Sequence, residues 1–326
     1  MAIIKKTPEE IEAIAASGRV VARCHRLLRG KARPGVTTGE LDEAAEKFIR
    51  SQGGEPAFLG YRGYPGSICA SPNSMVVHGI PGSYDLKRGD VLSIDIGVEL
   101  DGAAEKFIRS QGGEPAFLGY RGYPGSICAS PNSMVVHGIP GSYTLSRGDV
   151  LSIDIGVELN GWVADAAVTL PIGPVSAVAK GLLESTNGAL YEGIEQARAG
   201  NRLGDVSAAI QRRVEADGYS IIRSLVGHGV GRDMHEDPQI PNFGKPGSGP
   251  ELEEGMVLAI EPMVNAGGHE VRMGSDSWAV YSADGSLTAH FEHTVAITAE
   301  GPRILTPWHL EDGAQADITA ASAARA

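Results

Sequence analysis

Two aspartates in one hairpin raise the first chemical possibility. Residues 150–169 hold two apolar runs around Asn160-Gly161, and Asn-Gly between alternating apolar residues is the strongest short hairpin signal. A two-residue turn there sets Asp165 opposite Gly156, with Asp154 two residues along on the same face as a diagonal neighbour. Both sit among Ile153, Ile155, Val163, Ala164 and Ala166. Carboxylates held close in apolar surroundings repel, and one takes up a proton unless a cation joins them. A pair of divalent ions about 3.5–4 Å apart is the natural partner. The plainer reading is one exposed aspartate and one satisfied by local hydrogen bonds, and the hairpin alone leaves both open.

Other residues can complete such a centre. His228 stands between Gly227 and Gly229, where the missing side chains allow a close backbone approach. The spacing is not that of a dinucleotide-binding loop. His235 follows, then Glu236 and Asp237. Glu261 lies inside the apolar run Leu258–Val264, and Glu292 opens the run Phe291–Ile297. A lone histidine is more often structural, and a lone strand glutamate is often exposed. An isolated buried carboxylate is costly, however, so each needs a partner. Four carboxylates and one imidazole suit manganese, iron, cobalt or zinc, and two carboxylates can bridge two ions.

These residues must be positioned by a mixed set of elements. Thr7-Pro8-Glu9-Glu10 is a capping box with proline at the first helical position, opening a helix that runs towards Gly30. Thr37-Thr38-Gly39-Glu40 opens a second, closed by Gly53-Gly54. Ser176–Arg198 and Asp205–Asp217 read as helices. Ser220–Val226, Met256–Ile260, Trp278–Tyr281 and His293–Ile297 read as strands. Helices mixed with hairpins indicate an α+β or α/β sheet protein. A faint similarity pairs Gly35, Gly39, Leu41, Ala44 and Gly53 with Gly200, Gly204, Val206, Ala209 and Gly218. It points to two related halves facing a shared site.

Composition bounds the class. The 326 residues are 42% hydrophobic and 21% charged, as in a globular chain able to bury a sizeable core. No run of about 18 apolar residues is present, which argues against a membrane span. The N-terminal segment lacks the apolar core of a signal peptide. Cys24, Cys69 and Cys128 form no metal-binding or disulfide pattern and fit a reducing cytoplasm. The net charge of −12 argues against a broad nucleic-acid surface.

One feature is unusual. Ala44–Gly102 reappears as Ala103–Gly161, offset by 59 residues, and the copies differ only at Asp85/Thr144, Lys87/Ser146 and Asp101/Asn160. Glu-Leu-Asp begins at both Glu40 and Glu99, so the join reads as a tandem duplication between short matching stretches. His78 and Asp95 duplicate His137 and Asp154. Eleven residues after Asp154 stands Asp165, but eleven after Asp95 stands Lys106. The first copy runs from a turn at Asp101-Gly102 into helix-forming sequence at Ala103–Gln111. At most one dinuclear site can therefore form. The second copy, with its hairpin continuous through Asp165, is the favoured occupant. A hybrid is also allowed, crossing over at Gly53–Gly66 or Gly112–Gly125, because a long surface excursion costs little closure entropy. The displaced copy keeps apolar strand sequence such as Val91–Ile94, a hazard for aggregation or strand exchange.

In order, HGIP at His137, SIDIG around Asp154, Asp165, GHGVG around His228, MHEDP around His235, IEPMV around Glu261 and FEHT around Glu292 resemble the methionine aminopeptidases of the short bacterial kind. The resemblance covers nearly the whole chain once one copy is set aside. It implies an α+β pita-bread fold, two pseudo-symmetric halves around a central antiparallel sheet, as one catalytic domain over 1–310; the composition of 311–326, rich in alanine and acidic residues, reads as a disordered tail. It implies two divalent metal ions (Co, Mn, Fe or Zn) on Asp154, Asp165, His228, Glu261 and Glu292. It implies His137 and His235 as substrate-contacting residues, and a methionine pocket of Tyr120, Tyr123, Cys128 and Trp278. Met234 stands where some relatives carry an aromatic, so that wall is expected to differ. The implied activity is removal of the N-terminal methionine by a bridging hydroxide on the dinuclear site, with Glu261 also carrying the proton. The implied partners are nascent polypeptide N-termini at the ribosome, with no membrane and no nucleic acid, for a cytoplasmic monomer. The alternatives are a non-catalytic binding protein of the same fold, and an enzyme impaired by its own duplication.

Overall fold

The computed structural model describes residues 3–16, 18–19, 69–72, 92–95, 100–141, 143 and 145–308. The helix expected after Thr37, the first members of the faint internal similarity and the tail at 311–326 lie outside them.

The first helix, α1, covers 8–16. Its capping box forms as read: the Thr7 N–H donates to Glu10 Oε2 at 2.9 Å and the Glu10 N–H to Thr7 Oγ1 at 3.3 Å. The second, α2 (Leu100–Ser110), falls on the join between the copies. Here the structure corrects the sequence reading, because Asp101-Gly102 lies inside this helix and makes no turn. Gly102, in the first turn of this helix, is a poor helix former. Burial of Ala104 and Ile108, one turn apart, and the Glu105–Arg109 ion pair at 2.9 Å offset this poor propensity.

Strands β1 (Cys69–Pro72) and β2 (Leu92–Asp95) belong to the first copy and pair antiparallel, Cys69 opposite Asp95. In the second copy β3 (Glu114–Pro115), β4 (Cys128–Pro131), β5 (Met134–Val136) and β6 (Val150–Leu159) follow. Cys128 again lies opposite Asp154. The same residues thus choose the same register twice. Only β6 continues through a tight turn into β7 (Trp162–Pro171), its partner over ten residue pairs. Asn160 and Gly161 have φ of 55° and 76°, the left-handed pair that a type I′ hairpin turn requires.

Helices α3 (Ala177–Gln196) and α4 (Leu203–Ala216) then pack on each other. Ser176 caps α3 by accepting from the Ala179 N–H. The rest is β: β8 (Ser220–Ile221), β9 (Val226–Gly229), β10 (Glu236–Pro241), β11 (Val257–Ile260) and β12 (Met263–Asn265). They are followed by β13 (Val271–Met273), β14 (Val280–Ser282), β15 (Thr288–His290), β16 (His293–Thr298) and β17 (Gly301–Ile304). Every described ladder is antiparallel. Among the described residues the largest sheet runs β10-β9-β11-β16-β17, and β3-β6-β4 with β7 forms another. The α+β expectation holds.

The β6–β7 hairpin lies between two cores. Ile153, Ile155, Val157, Ala166, Val168 and Leu170 join the helices in one; Trp162, Val163 and Ala164 join α1 and Phe117 in the other. With both faces covered, nearly all of β7 is buried. The polar-out face that alternation suggests is absent there, and Asp165 is only 4% exposed.

Candidate metal centre

Sheet register, more than local sequence, assembles the centre. Gly156 lies opposite Asp165, as the hairpin arithmetic requires, so Asp154 and Asp165 share a face. On the larger sheet Ala259 pairs with His228 and Ile260 with His293. Continuing that register by one residue sets Glu261 at the end of β11 against Glu292 at the head of β16. The two sheets meet there. The Glu292 N–H donates to the Ala167 carbonyl at 2.9 Å, and the Asp165 N–H donates to Thr294 Oγ1 at 2.9 Å. Glu292 is thereby fixed beside Asp165.

The two glycines flanking His228 serve these ladders. A Cβ at Gly227 would lie 2.4 Å from the Ala259 carbonyl, and one at Gly229 2.3 Å from the Asp237 carbonyl. The close approach read from the sequence is to neighbouring backbone.

Potential ligand atoms of Asp165, His228 and Glu292 lie within 4.8 Å of one another. One oxygen each of Asp154, Asp165 and Glu292 is shut off from solvent with no hydrogen-bond partner. Glu261 Oε1 is 3.7 Å from His228 Nε2. Burial first, and then the Asp165 and Glu261 charges, hold Asp154 well above the usual carboxylate range. Burial pushes Asp165 up to about 7. Glu261 and Glu292 are raised by burial and by the neighbouring acids. Burial lowers His228 and favours its neutral form, the form that ligates a metal. Buried, unpartnered carboxylate oxygens around a neutral imidazole are what a divalent cation resolves.

One cavity of about 180 Å³ opens on these groups, room for about six waters. It is lined by Tyr120, Tyr123, Cys128, His137, Asp154, Asp165, His228, His235, Glu261, Trp278 and Glu292. Every site residue singled out from the sequence is therefore on its wall. Among the described residues, the second copy supplies Phe117, Tyr120, Arg121, Tyr123, Cys128, His137 and Asp154 to this wall.

His235 is held on several sides. Tyr120 Oη lies 2.9 Å from its Nδ1, and the two rings stack with centroids 5.3 Å apart. Glu236, the next residue, accepts the Arg232 N–H on Oε1 and pairs through Oε2 with the buried Lys6. Desolvation first, then the nearby His228, push the His235 pKa below its usual value. His137 sits at φ 58°, a strained conformation for a residue with a side chain and one that clusters at functional sites. Tyr123 meets Trp278 edge to face at 5.1 Å and donates its hydroxyl to the Gly138 carbonyl. Met234 is buried over Gly156, where a Cβ would lie 2.6 Å from its Cε.

Phe117 and Arg121 also line the cavity and escaped the sequence reading. Both lie in an irregular stretch without periodicity. His290, behind Glu261, was missed as well; a histidine two residues ahead of Glu292 in an apolar run was the available signal.

Fold and centre together define a metal-dependent hydrolase class. The chain belongs to metallopeptidase family M24, whose model matches residues 12–109 and 98–299. The two matched stretches overlap near the join between the copies.

Within that family its relatives are methionine aminopeptidases. It is 43% identical to methionine aminopeptidase 1 of Bacillus subtilis over 93% of this chain and 99% of the relative. Identity to the methionine aminopeptidase of Clostridium perfringens is 42%, over 93% of this chain and 98% of that one. The crystal structure of the Thermotoga maritima methionine aminopeptidase superposes with a TM-score of 0.73 at 36% identity, covering 94% of this chain and 99% of that one. The Pyrococcus furiosus prolidase, at 20% identity and a TM-score of 0.58 over 93% of this chain and 65% of that one, shares the fold. The fold is the expected pita-bread α+β architecture. No described helix is long and apolar enough to cross a membrane.

Proposed function

We propose that this chain removes the N-terminal methionine from nascent proteins and peptides, using two divalent metal ions. One observation carries the reading: five candidate ligands and the expected methionine pocket share a single cavity. Asp154, Asp165, His228, Glu261 and Glu292 would hold the ions, which supply Lewis acidity and an activated water near neutral pH. Cobalt, manganese, iron and zinc all suit this donor set.

The chain's own groups divide the remaining work. Tyr120, Tyr123, Cys128 and Trp278 enclose the methionine side chain, and the buried Met234 belongs to the same apolar cluster. Glu261, its carboxyl raised by burial, takes a proton and passes it to the leaving amine. His137 and His235 donate to the substrate amide and to the developing oxyanion. His235 can do so because Tyr120 occupies its Nδ1, leaving Nε2 for substrate. The catalytic unit is read as one domain over 1–310 that contains the duplicate, in a cytoplasmic monomer meeting nascent chains at the ribosome.

The test is methionine release from Met-Ala-Ser by the intact chain, chelated and then given manganese or cobalt. Release restored by metal is the expected result. Soluble protein that binds metal without releasing methionine would instead favour an enzyme impaired by its duplication.

A further inference from the structure

His290 is the one buried histidine with no hydrogen-bond partner on either ring nitrogen among the described residues. It is 2% exposed, and an unpaired buried polar group is costly. Its backbone is firmly held. The His290 N–H donates to Thr169 Oγ1 at 2.8 Å, and the Thr169 hydroxyl donates back to the His290 carbonyl at 2.8 Å. On the other side β12 places it opposite Met263, two residues beyond Glu261. The ring therefore has little freedom to seek another partner.

What the ring faces is Glu261. His290 Nε2 lies 3.4 Å from Glu261 Oε2, while Glu261 Oε1 lies 3.7 Å from His228 Nε2. Each oxygen of one carboxylate is thus flanked by an imidazole. His228 is on the cavity wall and His290 is behind it. The Glu261 main chain is fixed as well, its carbonyl accepting from Asn242 Nδ2 at 2.9 Å. Only the carboxylate rotation remains to be set.

We propose that His290 is a positioning residue for Glu261: the neutral ring, protonated on Nε2, donates to Oε2 and turns Oε1 towards the cavity. An ionised Glu261 accepts this as a charge-assisted hydrogen bond, shorter and stronger than the contact to a neutral acid. A donor behind a ligand fixes its orientation, and losing one typically costs 10- to 100-fold in metal affinity or activity. The inference rests on reading Glu261 as a metal ligand and proton carrier.

The test titrates manganese(II) into the chelated full-length chain by calorimetry, for the parent, His290→Leu and His290→Gln. Leucine removes the donor at similar size, and glutamine keeps an N–H. The expected result is manganese affinity weakened about 10- to 100-fold by leucine and largely restored by glutamine. In methionine release, kcat should fall in the leucine variant with KM little changed. If His290→Leu fails to fold, His290→Met supplies the same donor-free comparison. Equal affinity in parent and donor-free variants overturns the proposal, as does an equal loss in leucine and glutamine variants. A parent that binds no manganese removes the metal reading and this inference together; a parent that binds while leucine matches it removes this inference alone.

Discussion

At the scale of single residues, the centre is a cluster of largely buried acids on the wall of one cavity. Burial pushes Asp165 from its ordinary 3.8 up to about 7, and Asp154, Glu261 and Glu292 are raised the same way. The folded metal-free state therefore holds its protons more tightly than the unfolded chain. For Asp165 that stability is fully present below about pH 4 and is lost as pH rises through about 7. Metal competes for the same oxygens and binds better as protons leave. The melting-temperature gap between metal-loaded and chelated protein should widen from about pH 5 to about pH 8. A gap that stays constant across that range would count against these carboxylates as ligands. Glu261→Gln preserves shape but removes the proton carrier and a charged ligand, so kcat should fall by about 100-fold or more. Tyr120→Phe deletes one hydrogen bond to His235 and should lower kcat/KM about tenfold, read in the same methionine-release assay. An unchanged kcat/KM would mean that Tyr120 does not orient His235.

At the scale of elements, the hairpin positions two of the five candidate ligands. Its turn needs positive φ at Asn160 and Gly161, and a Cβ at Gly161 would come within 2.8 Å of Arg232 Nη1. Gly161→Ala should destabilise the protein by about 1–2 kcal/mol, measured by denaturant unfolding of the metal-loaded form. Equal midpoints for variant and parent would show that the turn is not under this constraint. The helix α2 shows the opposite case. The join carries an Asp-Gly pair that elsewhere would favour a turn, and the helix runs through it because Ala104 and Ile108 are fully buried. Tertiary burial overrides turn chemistry when the two compete over one residue pair.

At the scale of the whole molecule, one candidate centre is found among the described residues, and the copy that lines it runs on into β7. Both copies build the same cysteine–aspartate register, so the strand pairing is a local property. The second aspartate, the histidine and both glutamates are supplied once. Deleting either 44–102 or 103–161 yields a 267-residue chain in which an aspartate or asparagine precedes glycine at the hairpin turn. Both shortened proteins should release methionine at least as well as the parent, with similar melting temperatures. Loss of activity in the 44–102 deletion alone would show that the first copy contributes to the site.

The amino-acid order by itself determined the local events. It placed the α1 capping box, the type I′ turn and the diagonal relation of Asp154 and Asp165, because each depends on neighbours a few residues apart. It also marked every candidate ligand, since carboxylates inside apolar runs need a reason to be there. Only the tertiary structure decided how distant strands meet. The register that sets Glu261 against Glu292 joins two separate strands, and the bonds from Glu292 to Ala167 and from Asp165 to Thr294 join segments more than 100 residues apart. No periodicity encodes such contacts. Phe117, Arg121 and His290 went unnoticed for the same reason. Their meaning comes from what packs against them: a cavity for the first two, and the far side of Glu261 for the third.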